Sequence, residues 1–206
     1  MNIVLSLCEK SRSTYPKKPC LENLFGVFIN HNIYILGDDL SEDMMDFLKS
    51  YNVTVDNQVR GKDKYMIDKF EFCRNNFKSD DIVYMVEDDY MHYSGSDILF
   101  EEWLQHADYV TLYDHPDKYL NPIEGGNPFC SGRAEDTRVY LGEYCHWKLT
   151  NSTTMTFAAK VKTLKDDQTI LRKWTNGTHP HDFQMFQEII KTGRRLISPL
   201  PGYSTH

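Results

Sequence analysis

In the first 90 residues, short apolar runs alternate with segments of helical periodicity, and nothing else in the chain restricts its fold so strongly. Asn2–Leu7 reads as a buried strand. Residues 21–30 carry Leu21, Leu24, Phe25 and Phe28 at helical spacing, and 31–36 form a second strand ending in Gly37-Asp38-Asp39. Ser41 suits an N-cap for a short helix over 42–50. A third strand fits 53–55, a longer helix 62–77, and a strongly apolar central strand 81–86. This β-α-β-α-β-α-β order predicts an α/β domain with a mostly parallel central sheet flanked by helices. In open sheets of that kind ligands bind outside the carboxyl ends of the strands. Two of those ends are acidic: Asp38-Asp39, and Glu87-Asp88-Asp89 after the central strand.

The second half is less regular. A helix over 98–106, a strand over 109–113, a strand pair over 138–141 and 144–150, and another strand over 154–158 are expected. Helices over 161–174 and 181–191, a last strand over 195–198 and a tail over 199–206 complete it. Between them, 114–136 is a long segment rich in Pro and Gly, and such segments in compact domains are commonly functional.

A chain of 206 residues suits one domain that needs no disulfide staples. Its net charge of −7 lacks the basic balance that nucleic-acid binding requires. The five cysteines are scattered, with no Cys-x-x-Cys pair, which suits free thiols in a reducing, cytoplasmic setting. The N-terminus reads as a strand rather than a signal peptide, and the sequons at Asn52, Asn151 and Asn176 as chance. No apolar run approaches the roughly 20 residues of a membrane helix.

Three adjacent carboxylates at the end of a hydrophobic strand repel one another. A solvated acidic turn is the plain account of such a triplet. Here, however, it closes the most hydrophobic strand, at the edge where parallel sheets bind ligands, and desolvating it without a counter-ion is costly. A hard divalent cation with oxygen ligands removes that cost. It would also stabilise a departing diphosphate, as when a nucleotide-sugar is cleaved.

A strand running into Glu87-Asp88-Asp89 resembles the DxD-type signature of GT-A-fold glycosyltransferases, with Glu where the first Asp often stands. In that family the last acid usually binds Mn2+ or Mg2+, and the first or middle acid meets the ribose or donor sugar. The resemblance therefore implies Asp89 as metal ligand and Glu87 and Asp88 as donor contacts. The tail from Ser198 to His206, with Pro199, Pro201 and Gly202, is similar to the segment that returns a histidine to the metal in many such enzymes, implying His206. Thr178-His179-Pro180-His181-Asp182 stands where the family's acidic catalytic motif stands, implying Asp182 as the base of an inverting reaction. Asp182 also suits a plain helix cap. By the same resemblance the loop bearing Ser6, Cys8 and Glu9 touches the nucleobase.

The resemblance follows the whole chain in order. Residues 1–90 correspond to the nucleotide-sugar-binding half, and 91–206 to the acceptor half with its metal-binding tail. The chain is similar in size to small viral and bacterial sugar transferases, including the N-terminal domain of a large chlorovirus glycosyltransferase. It implies a UDP-sugar donor, by the family's habit, and a glycan or other hydroxyl acceptor.

Other residues invite two readings. Asp38 and Asp39 suit a base or ribose contact, or a turn into the Ser41 cap. Arg60, Lys62 and Lys64 could face the diphosphate, although a basic run at a helix start is ordinarily a solvated face. Arg133, beside Gly125, Gly126 and Gly132, suits a loop that closes over a donor. Trp103, Trp147 and Trp174 read as core, with one available to stack on an acceptor. The rival functions are a metal-dependent phosphohydrolase or nuclease, and a non-catalytic nucleotide-binding domain. A dinucleotide oxidoreductase is disfavoured because no Gly-x-Gly-x-x-Gly follows the first strand.

Overall fold

The computed structural model describes residues 1–9, 16–61, 65–132, 134–177 and 179–206. The first half runs β1 (Asn2–Leu7), α1 (Lys17–Val27), β2 (Asn32–Asp38), α2 (Glu42–Leu48), β3 (Thr54–Gln58), α3 (Tyr65–Asn76) and β4 (Ile82–Glu87). It continues with β5 (Met91–His92), α4 (Leu99–Trp103), β6 (Tyr109–Val110), β7 (Cys130–Ser131), β8 (Ala134–Glu135), β9 (Val139–Leu141) and β10 (His146–Leu149). Last come β11 (Phe157–Lys160), α5 (Val161–Asp166), α6 (Gln168–Thr175), α7 (Asp182–Lys191), β12 (Leu196–Leu200) and β13 (Ser204–Thr205).

One nine-stranded sheet in the order β3-β2-β1-β4-β11-β6-β12-β10-β9 organises the domain. Its first four strands are parallel, as the βαβ alternation requires. β11 then enters antiparallel beside β4, and β6 and β12 form a further parallel pair. Apolar residues on the two faces build two cores. One, under α1, α2 and α4, contains Phe28, Tyr84, Phe100 and Trp147. The other, under α3 and α5 to α7, contains Phe70, Met85, Phe157 and Phe186. β4 is apolar throughout because it feeds both: Tyr84 and Val86 point into the first core, and Val83 and Met85 into the second.

Differences from the expected elements have local causes. The helix expected over 161–174 is two helices, broken at Asp167. That carboxylate accepts the Tyr109 hydroxyl at 2.7 Å and the Arg194 guanidinium at 3.0 Å, which ties the break to β6 and to the start of β12. The 114–136 segment has more structure than its composition suggests, with short 3-10 turns at Pro116–Tyr119 and Pro122–Glu124 and the β7–β8 hairpin. Its ends are anchored by buried ions. The Lys148 ammonium meets Asp114 at 2.8 Å and Glu135 at 3.3 Å. The Lys118 ammonium bonds Asn151 and Ser152. Arg60 forms ion pairs with Asp56 and Asp68 and bonds the Gly37 carbonyl, so its guanidinium fastens β2 to β3 and α3 rather than facing a ligand. All five cysteines are free thiols.

Replacing Lys148 by Met leaves Asp114 and Glu135 buried without their shared cation. Removing one partner of a buried ion pair costs about 3–5 kcal/mol. Equilibrium denaturation should therefore show a loss of that order, while Lys49→Met, at an exposed pair, should change stability by less than about 1 kcal/mol.

Candidate active site at the carboxyl end of β4

The parallel register sets Ser6 of β1 opposite Glu87 of β4, so the loop after β1 lies against the acidic triplet. Asp88 makes the join. One of its oxygens accepts the Cys8 amide at 3.0 Å, and the other meets the ammonium of Lys17 at the start of α1. The Cys8 thiol in turn lies 3.8 Å from an Asp38 oxygen. The other Asp38 oxygen accepts the amides of Arg60 at 2.8 Å and Gly61 at 3.3 Å. Three strand ends are thereby laced together by main-chain donors and one lysine.

Glu87 is held from the other side. Its amide donates to the Thr156 hydroxyl at 3.1 Å, and that hydroxyl lies 3.3 Å from a Glu87 carboxylate oxygen. Burial pushes the Glu87 carboxyl up to about 7; the Lys69 cation opposes this, while Asp89, Asp182 and Asp88 add to it. Lys69 itself is fully buried in α3 and donates to the Val86 carbonyl at 3.2 Å. Burial holds its ammonium below the usual range, opposed chiefly by the charge of Glu87. Burial also raises Asp88, against the pull of Lys17.

Asp182, far away in sequence, lies within electrostatic reach of Glu87, whose carboxyl its charge helps to raise. It is the first residue of α7, where one of its oxygens accepts the Phe183 amide at 2.7 Å. Burial raises its carboxyl, opposed by that hydrogen bond and by the nearby imidazoles of His115 and His181. The expected cap role is thus modified: the helix is capped at His181, and Asp182 occupies its first turn.

The tail arrives at the same place. β13 pairs antiparallel with β5, just beyond the triplet, with Ser204 opposite His92 and Thr205 opposite Met91. The amides of Tyr203 and Ser204 both donate to the Leu112 carbonyl, at 2.8 and 3.0 Å. Gly202 permits the close approach, because a β-carbon there would lie 3.0 Å from the Asp114 nitrogen. The His206 ring then packs on Tyr90, centroids 4.8 Å apart, and on Tyr113 at 5.1 Å. Tyr90 is the residue after Asp89, so the last side chain of the tail lies over the end of the motif.

Not every expected residue joins this cluster. Glu9 points at α2, where its carboxylate accepts the Ser41 amide at 2.6 Å and the Ser41 hydroxyl at 3.0 Å, reinforcing the cap. Ser6 is buried, with its hydroxyl unpartnered among the described residues. Lys64 and Arg133 lie outside the described residues. Lys17, Lys69, Thr156 and His115 escaped the sequence reading. Their roles depend on contacts across the sheet and between distant elements, and nothing in their local spacing marks them.

Among the described residues no group of three or more His, Cys, Asp or Glu stands ready to hold a metal ion. Asp88 has both oxygens engaged, by Lys17 and by the Cys8 amide, so Asp89 and His206 remain the two candidate ligands that the resemblance implies. Two protein ligands with the rest supplied by phosphate oxygens and water is the pattern of magnesium-type sites in phosphate-binding enzymes. A cleft of about 330 Å³ lies elsewhere, between Trp103 of α4 and Tyr140 of β9.

The raised Glu87 carboxyl has a consequence for stability. The native state holds this proton up to about pH 7, well above the ordinary carboxylate range in which the unfolded chain releases it. Its stabilising contribution is therefore complete in acid and is lost as pH rises through 7. In metal-free buffer, thermal denaturation of Glu87→Gln should show a gain over the parent above pH 7 that vanishes towards pH 5. An equal difference at both pH values would contradict the assignment.

No family model matches the chain, and no curated protein matches it in sequence. Solved structures do resemble it. GalNAc-T7, determined with UDP, GalNAc and Mn2+, aligns over all of this chain and 42% of its own, with TM-score 0.61 and 11% identity. The galactosyltransferase LgtC, with donor and acceptor sugar analogues, aligns over 96% of this chain and 73% of its own, with TM-score 0.52 and 9% identity. A 4-diphosphocytidyl-2C-methyl-D-erythritol synthase from Anaerococcus prevotii DSM 20548 aligns over 96% and 86%, with TM-score 0.55 and 12% identity. This chain thus spans less than half of GalNAc-T7. At such identities the likeness speaks for architecture: the chain has the α/β fold of the GT-A glycosyltransferases.

Proposed function

We propose that this chain is a metal-dependent glycosyltransferase, moving a sugar from a nucleoside-diphosphate-sugar, with UDP favoured, to a hydroxyl of a glycan acceptor. What supports this reading is the acidic triplet Glu87-Asp88-Asp89 closing β4 at the carboxyl edge of a sheet of this fold, with the charge of Asp182 felt at Glu87 and His206 packed on Tyr90, the residue after the triplet. Two solved structures of this fold were determined with UDP and Mn2+ or with donor and acceptor sugar analogues, which supports the same use of the site here. Asp89 and His206 would hold Mn2+ or Mg2+. When bound, the ion supplies positive charge that stabilises the departing diphosphate.

The chain's own residues do the rest. Asp88, through Cys8 and Lys17, fixes the loop after β1 on the nucleotide side. Glu87, poised near neutrality beside Thr156, can either donate to or accept from a donor-sugar hydroxyl. Asp182 takes the acceptor proton in an inverting reaction, and its raised pKa favours that task because a base works best when its pKa lies near the operating pH. The likeness to a diphosphocytidyl-methylerythritol synthase favours nucleotidyl transfer as the second reading.

The products discriminate these readings. With UDP-sugars and Mn2+ the protein should release UDP, and chelation should stop it. Pyrophosphate would point to nucleotidyl transfer, and inorganic phosphate to a hydrolase. Asp182→Asn should lower transfer by about 100- to 10,000-fold. Near-normal turnover would remove Asp182 from the base role.

A further inference from the structure

Phe129 is 60% exposed, at the end of the long connection between β6 and β7. A phenylalanine so exposed ordinarily folds back onto apolar neighbours if its backbone allows. Here the backbone does not. The Phe129 amide donates to the Asn127 side chain at 3.1 Å, and the Cys130 amide donates to the Asn127 carbonyl at 2.9 Å. Asn127 is itself buried, and its side-chain nitrogen lies 3.2 Å from the Asn151 carbonyl oxygen. Cys130, the next residue, is buried as well. The Phe129 ring is thus presented on a fixed mount.

Among the described residues its aromatic partner is Phe183, centroids 6.0 Å apart and planes inclined by 20°. Phe183 directly follows Asp182 and donates its amide to the Asp182 carboxylate. The nearly parallel pair of rings is thereby joined to Asp182 through Phe183, its neighbour in the chain. The tryptophans do not compete for this place. Trp103 and Trp147 are buried in the first core, and the Trp174 indole is already engaged, its nitrogen donating to Glu188 at 2.7 Å and its ring lying under Lys173 and against His181.

We propose that Phe129 and Phe183 form the platform on which a pyranose ring of the acceptor stacks, setting its hydroxyl against Asp182. A pyranose presents an apolar face of C–H groups, which an aromatic ring covers well, whereas a flexible alcohol or a phosphate gains little from a flat apolar surface. The inference rests on the glycosyltransferase reading and adds that the acceptor is a glycoside recognised by its ring face.

Saturation-transfer NMR with methyl glycosides of common hexoses and deoxyhexoses, in the presence of UDP and Mn2+, tests it. At least one glycoside should bind the parent protein, with saturation concentrated on the protons of one ring face. Phe129→Ala should weaken that binding roughly ten-fold, and Phe129→Trp should restore it. No binding by any glycoside, or equal binding to Phe129→Ala, would overturn the platform. UDP binding by the parent protein is read in the same samples. Its absence would count against the glycosyltransferase reading itself, whereas UDP binding without glycoside stacking would count against the platform alone.

Discussion

Among the described residues, the carboxyl end of β4 gathers more acids than cations, and much of the architecture serves to hold them there. Glu87, Asp88, Asp89 and Asp182 act on one another across the end of a strand that is buried on both faces. Against them stand Lys17, bonded to Asp88, and Lys69, buried beneath Val86. Low dielectric makes each repulsion costly. Burial first, and these charges after it, keep the Glu87 proton bound to about pH 7. A carboxylate cluster in this condition is prepared for added positive charge, and that readiness gives the site its chemical sense.

The two halves of the chain meet there by different means. The first half delivers its acids and the β1 loop through parallel register alone, as doubly wound sheets do. The second half arrives through long-range pairing. α7 brings Asp182 to its N-terminal turn, the tail pairs with β5 to lay His206 on Tyr90, and the buried Lys148 network holds the long connection that presents Phe129. On the proposed function, donor-side groups would come from the sheet, and acceptor-side groups from α7 and from the connections pinned to the sheet. Loops on a rigid scaffold are where specificity is most readily varied.

The parallel half was legible in the sequence because its signals are local: apolar runs of strand length, a Ser41 cap that does accept the Met44 amide, and acids at a strand end. Asp182 and His206 were marked only through resemblance; in the structure Asp182 opens α7 and His206 packs on Tyr90, the residue after the triplet. Glu9 misled because its place beside a strand end suggests a ligand contact, whereas the free end of α2 lies within its reach. Arg60, read as ordinarily a solvated face, is instead an ion-paired tie, its neighbours Asp56 and Asp68 becoming partners only once β3 and α3 have packed. Lys69 gave no signal at all. A lysine in a helix reads as surface, and its burial follows from the side of α3 that faces the sheet.

The central claim is that these acids exist to hold a cation that in turn holds a diphosphate. Crystals soaked with Mn2+ and UDP, measured at the manganese absorption edge, examine it without any assumption about sugar or acceptor. The account predicts one anomalous peak bonded to both Asp89 and the diphosphate oxygens of UDP. A peak elsewhere, or UDP bound with Asp89 free of metal, would contradict it.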